Sequence, residues 1–147
     1  MKNLSFILIA FFAIGIFTAC DEEIEVELLT CEQQTIIDAS QYQTATSDAA
    51  SIDSLEITGN CLSITFSSGG CDGETWQVKL IDSGSVAESL PPQRSLKLTL
   101  ENEEVCLAQI TKTISFDVHE LEVDGEVSVW LNISDSDDES EQILYEF

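Results

Sequence analysis

The densest chemistry in the sequence is a run of acids and hydroxyls, Asp135-Ser136-Asp137-Asp138-Glu139-Ser140-Glu141. Closely spaced carboxylate and hydroxyl oxygens are hard ligands, and millimolar calcium outside a cell suits a weak site of that kind. Asp135, Asp137, Asp138 and Glu139 are therefore the calcium candidates. The sixth position from Asp135 is Ser140, where an EF-hand needs glycine, so the plainer reading is a solvated hairpin loop. Glu120, Glu122, Asp124 and Glu126 read the same way. The single histidine, His119, stands in Asp117-Val118-His119-Glu120, and a serine-histidine-aspartate mechanism needs such a base held beside a serine. No Gly-x-Ser-x-Gly, His-Glu-x-x-His or Walker loop is present. Carboxylate pairs for glycoside cleavage can be drawn from 28 acids at will, so they point nowhere without geometry. The expectation is a non-enzyme with no catalytic residue and no cofactor beyond weak calcium.

Five cysteines remain to be placed: Cys20, Cys31, Cys61, Cys71 and Cys106. Met1 to Cys20 reads as an export signal, with a lysine start, an apolar run from Leu4 to Phe17, then Thr18, Ala19 and Cys20. The run falls short of the ~20 residues that span a bilayer and is followed at once by acid. Its end resembles the lipobox of bacterial lipoproteins, with Phe17 in place of the usual leucine. The resemblance implies cleavage after Ala19 and lipidation of Cys20. Two or three acyl chains anchor a protein stably, at about 0.8 kcal/mol per buried methylene. Residues 1–19 are then signal, 20–33 the lipidated cysteine with an acidic tether, and 34–147 one domain. The four cysteines left over in an exported chain predict two disulfides, with three pairings possible. Cys71 with Cys106 and Cys31 with Cys61 is the preferred set, because Cys71 lies in a Gly-rich turn and Cys106 shortly after another strand, so their bridge staples two hairpins. Zinc is disfavoured by the absence of Cys-x-x-Cys and the single histidine.

The acids right behind Cys20 (Asp21, Glu22, Glu23, Glu25, Glu27) look like the surface-export signal of Bacteroidota lipoproteins. That implies the outer face of the outer membrane; an aspartate directly after the cysteine is associated with inner-membrane retention in enteric bacteria, which leaves the periplasmic side as the alternative. The tether itself reads as a solvated linker or an added edge strand. Loss of residues 1–19 removes one of five bases and none of the 28 acids. A net charge of −23 for the whole chain excludes nucleic acid as a partner, since binding it requires a basic footprint. It also keeps the domain soluble and held off its neighbours.

Beyond the tether the dominant pattern has period two, the mark of half-buried strands. Leu62, Ile64 and Phe66 alternate with Ser63 and Thr65, and Trp76, Val78 and Leu80 with Gln77 and Lys79. The pattern recurs at Leu96-Leu98-Leu100, Ile114-Phe116-Val118 and Val127-Val129-Leu131-Ile133, with further strands at Leu55 to Thr58 and Gln142 to Phe147. Turn residues fall between them: Gly59-Asn60, Ser67 to Gly73, Ser83-Gly84, Pro91-Pro92, Glu101 to Glu103, Asp124-Gly125 and Asp135 to Ser140. No segment past the signal shows a helical stripe, and Gln41 to Ser51 reads as loop. Seven or eight strands with one apolar face each must pack as two sheets or close a barrel. The predicted fold is all-β: an antiparallel, immunoglobulin-like β-sandwich stapled by disulfides, with a small β-barrel as the alternative. Trp76, in phase with Val78 and Leu80, belongs to the core. Trp130, out of phase with Val129 and Leu131, faces the other way and is the candidate ligand surface, since an exposed indole stacks on sugar rings.

Ile36-Ile37-Asp38 with Tyr42, the Ser-Gly-Gly-Cys turn ending at Cys71, Pro91-Pro92-Gln93-Arg94, Cys106 and Ser115-Phe116-Asp117 resemble a group of short uncharacterised Bacteroidota cell-envelope lipoproteins. The resemblance implies an all-β secreted domain and carries no activity. Together these readings predict a lipid-anchored, non-catalytic envelope protein that binds a protein or glycan partner outside the cell. A small glycan-processing or hydrolytic accessory enzyme, and a purely structural lipoprotein, are the alternatives.

Overall fold

The computed structural model describes residues 30–136 and 139–147. The expected signal peptide, the expected lipidation site Cys20 and the expected tether as far as residue 29 lie outside the described residues, as do Asp137 and Asp138. Among the described residues nine strands fold into two facing sheets without closing a barrel. In chain order they are β1 (Gln33–Gln34), β2 (Ile36–Ile37), β3 (Ser51–Thr58), β4 (Cys61–Gly70), β5 (Gln77–Ala87), β6 (Gln93–Glu101), β7 (Ala108–Asp117), β8 (Ser128–Ser134) and β9 (Ser140–Glu146). The first sheet has the order β1-β7-β4-β3 and the second β2-β5-β6-β8-β9.

The alternation read from the sequence is what fills the space between the sheets. Leu62, Ile64 and Phe66 of β4 meet Leu80, Leu96, Leu98 and Leu100 across the core, and Phe116, Val129, Leu131, Ile133 and Tyr145 complete it. Burial of each such side chain contributes about 1.5–3 kcal/mol, which is the driving force for closing two one-sided sheets on each other. Val127 was grouped with this stripe but lies ahead of β8 and is 74% exposed.

Several local features differ from the sequence reading. Both sheets are mixed: β1 runs parallel to β7, β2 to β5 and β6 to β8, where antiparallel pairing alone was expected. The reason is topological, since the chain returns through β7 in the first sheet before β8 can pair beside β6 in the second. The short β1 and β2 also raise the strand count. They pair with one sheet each, so the chain at Thr35 steps from the first sheet to the second. A helix, α1 (Ala39–Thr44), occupies part of the expected loop, started by Asp38, whose Oδ1 accepts from the amides of Ser40 (2.8 Å) and Gln41 (2.9 Å). Those bonds, led by the Gln41 amide, hold the Asp38 carboxyl below its usual range. Ser67 to Gly70 belong to β4 rather than to a turn, and Ser83-Gly84 forms a bulge inside β5 where Gly84 takes φ 71°. The cysteines pair as Cys31–Cys61 and Cys71–Cys106.

These bridges mark the two ends of the sandwich. The near end, where the chain enters at Thr30 and Cys31, gathers the starts of β4, β6 and β8 and a 3-10 turn at His119–Leu121. At the far end are the starts of β5 and β7, the β4–β5 loop and the segment from Asn102 to Leu107.

Candidate functional site

The far end is organised around one carboxylate. Glu104 Oε2 accepts from the backbone amides of Cys71 (2.5 Å), Gly73 (3.2 Å) and Asp72 (3.3 Å), and its Oε1 accepts from the Thr75 hydroxyl (3.1 Å). Successive amides turned toward one point make an anion-binding concavity, and this one is filled from within. Desolvation opposes the charge, but the donors outweigh it and bring the Glu104 carboxyl down to about 2. Gly70 is obligatory here, because a Cβ would sit 2.5 Å from Glu104 Oε2 and 2.8 Å from the Trp76 ring. Asn102 ties the same segment down: its Nδ2 donates to Gly69 O (2.7 Å), its amide to Asp48 (2.7 Å), and its Oδ1 accepts from the Glu104 amide (2.9 Å).

With Asn102 and Glu104 bonded back to the protein and Cys106 bridged to Cys71 at the surface, Val105 and Leu107 point out. Val105 is 91% exposed and Leu107 97%. Apart from the exposed Glu103, the ordinary polarity of a surface segment is thus inverted, with Asn102 and Glu104 fixed against the protein and Val105 and Leu107 in water.

Below this loop, between the unpaired sides of β5 and β7, lies a cleft of about 470 Å³ floored by Phe66, Trp76, Val78 and Ile114 and rimmed by Glu32 and Lys112. Trp76 packs on Phe66 at 5.8 Å between ring centroids, and Lys112 Nζ, 6.0 Å from the Trp76 ring, donates to Gly73 O (2.6 Å). The Trp76 indole nitrogen is buried with no partner among the described residues. A site of this composition can seat an apolar side chain; it brings no nucleophile and base together.

At the near end the chemistry is structural. Arg94 Nη1 meets Asp82 Oδ1 at 3.3 Å with both side chains buried, and Arg94 Nε donates to Leu121 O (3.1 Å). Burial raises the Asp82 carboxyl above its usual range, against the Gly84 amide and the Arg94 charge, which pull it down. The Tyr145 hydroxyl donates to Asn60 Oδ1 (3.0 Å) and Glu122 Oε1 (3.2 Å), and burial together with Glu122 raises its pKa.

The residues singled out from the sequence fall in separate places. His119 is exposed, and its Nδ1 lies 2.9 Å from Glu122 Oε1, so its partner is a carboxylate and not a serine. Asp135 is buried, and its Oδ2 accepts from the Ile52 amide (3.4 Å), while the Ser136 hydroxyl bonds Ala50. Glu139 is exposed beside Asp137 and Asp138, which lie outside the described residues. Among the described residues no three His, Cys, Asp or Glu side chains group to hold a metal. Trp130 is half-buried on the outer face of the second sheet, opposite Val129 and Leu131. Nothing in the sequence pattern marks Val105, Leu107 or Glu104. A period-two reading of Asn102 to Leu107 would bury the aliphatic residues, and only the contacts of Glu104 and Cys106 reverse it.

No protein-family model matches the chain, and no curated protein matches it in sequence. Solved structures match the fold. A NigD-like immunity protein from Bacteroides caccae aligns with TM-score 0.56 at 10% identity over 78% of this chain and 63% of that one. A putative toxin-related protein from Parabacteroides distasonis gives 0.55 at 19% identity, over 78% and 60%. A protein of unknown function from Bacteroides vulgatus gives 0.54 at 12%, over 78% and 56%. The chain therefore spans less than two thirds of each of these structures, and the likeness is one of fold. None of the three carries the name of an enzyme.

Proposed function

We propose that the chain is a non-catalytic, lipid-anchored domain of the outer cell surface that binds an extracellular protein through its far end. The observation that carries this is the inverted segment at Val105 and Leu107. Bare aliphatic side chains on a surface are stabilised when a partner covers them, and here a disulfide and the bonds of Glu104 hold them in place. A partner would then meet a preorganised surface and lose little entropy on ordering it. The anchor would enter at the opposite end, where Cys31 is bridged to Cys61. Leu90 and Val127, also bare, belong to that near end and would face the lipid surface. The Bacteroides and Parabacteroides sources of the matched folds fit an envelope protein of that group.

Two experiments test the reading. Cys20→Ala releases the domain from the membrane fraction, and protease shaving of intact cells, with a periplasmic protein as leakage control, releases peptides of the mature domain. A photo-cross-linker at Leu107 then yields a protein adduct that one at Glu56, on β3 at the edge of the first sheet, does not. Equal labelling at the two positions would overturn the far-end assignment; full protection from protease would move the protein to the periplasmic side.

A further inference from the structure

The second sheet carries an outer face unlike the rest of this acidic molecule. Strand register sets Gln93, Trp130 and Leu144 in one row across β6, β8 and β9, and Ser95, Asn132 and Gln142 in the next. Their neighbours along each strand, Arg94, Leu96, Leu131, Ile133, Ile143 and Tyr145, turn into the core or pack against it, so the six stand together on the outside. None of the six is a carboxylate, in a chain with 28 of them, although the next row of the same face sets Glu146 opposite Ser128. Helix α1 packs over β5 instead, where Ile81 is buried, and Lys97 Nζ donates to Tyr42 O (3.0 Å) at its border, so the helix reaches β6 at Lys97 and not at Gln93 or Ser95.

The amides form a directed row. Gln142 Nε2 donates to Asn132 Oδ1 (2.6 Å), Asn132 Nδ2 donates to Gln93 Oε1 (3.3 Å) and to Arg94 O (3.2 Å), and Gln93 Nε2 donates to the Ser89 hydroxyl (3.1 Å). Each bond fixes a rotamer, and Gln142 Oε1 is left at the row's end with no partner among the described residues. Uncharged donors and acceptors of set direction beside an indole are what a sugar ring needs: its C–H face lies on the aromatic surface while its hydroxyls bond the amides.

We propose that this face, centred on Trp130 with Gln93, Asn132 and Gln142, binds a neutral polysaccharide. Charge complementarity selects the occupant. An anionic glycan would meet the field of a chain with net charge −23, and a cationic one would be drawn to the denser acids elsewhere and not to these six uncharged residues. The inference goes beyond the protein-binding far end and does not rest on it.

Affinity electrophoresis tests it, since the strongly acidic domain migrates fast in a native gel. The probes are a linear β-glucan, an α-glucan and a mannan, with chitosan as the cationic control. At least one neutral polymer retards the wild-type domain, and the retardation is insensitive to salt. Trp130→Ala weakens it by about tenfold or more, as truncation of an aromatic anchor does. Gln142→Ala weakens it less, and Trp76→Phe and the pair Val105→Asp/Leu107→Asp leave it unchanged. Trp130→Phe keeps an aromatic platform and part of the binding, which separates stacking from loss of fold. The proposal is overturned if no neutral polymer retards the domain, if Trp130→Ala runs like wild type in the retarding gel, or if only chitosan retards it in a salt-sensitive way. A far end that fails its cross-linking test while the gel shift survives would condemn the protein-partner reading alone.

Discussion

The two disulfides close loops of nearly equal length, with sequence separations of 30 for Cys31–Cys61 and 35 for Cys71–Cys106, yet they sit in opposite surroundings. Chain entropy separates them by only about 0.1 kcal/mol. Burial separates them much further: Cys61 is 3% exposed, whereas Cys71 and Cys106 are both exposed. The near bridge is anchored by the buried Cys61, next in the chain to Asn60, which accepts from the Tyr145 hydroxyl. The far bridge, with Glu104, fixes the shape of a loop in water. One end of the domain spends its polar chemistry on stability and the other on presenting a surface.

The largest test of that contrast is Arg94→Leu, which leaves Asp82 buried without its cation and costs about 3–5 kcal/mol in urea unfolding. Because burial raises the Asp82 carboxyl, its contribution to stability is greatest below the unfolded value of 3.8 and declines as pH rises through the folded one. The Arg94→Leu defect is accordingly smallest in acid, where Asp82 is neutral, and a pH-independent defect would remove the pair from the account. Next come the bridges. Each loses about 2–4 kcal/mol when both cysteines become serine, with the near pair costing more because a serine hydroxyl at position 61 would be left buried. Equal losses would erase the distinction between the ends.

A smaller effect belongs to Glu104. Its carboxyl is pulled from 4.5 to about 2, so its contribution is present above pH 4.5 and lost as pH falls through about 2. Thermal unfolding of Glu104→Gln should lack that component, and identical acid profiles for variant and wild type would show that the loop amides do not hold the charge. Smallest in stability is Val105→Asp with Leu107→Asp, within about ±0.5 kcal/mol for exposed positions. Urea unfolding should not register the change although cross-linking at the far end disappears; a marked loss of stability would mean that these side chains serve the fold.

Much of the fold is legible in the residues themselves. Leu62-Ile64-Phe66 and Leu96-Leu98-Leu100 name their strands and their buried faces, because a period of two leaves one dry side and water dictates where it goes. Trp130 was visible for the same reason, by being out of phase with Val129 and Leu131. Helix α1 was not, since it is six residues long with no buried side chain and so leaves no stripe to read. The bulge at Gly84 looked like a turn because glycine marks both, and only the continued pairing of β5 with β6 tells them apart.

The sequence by itself determined the all-β class and the one-sided strands that had to bring their dry faces together, for these follow from local periodicity. Tertiary structure alone decided the polarity of Asn102 to Leu107 and the row from Gln142 to Gln93. In the first, a carboxylate reached across to the β4–β5 loop and turned the aliphatic residues outward. In the second, three amides from three strands came into register. Both depend on contacts between residues far apart in the chain, and such contacts leave no pattern along it.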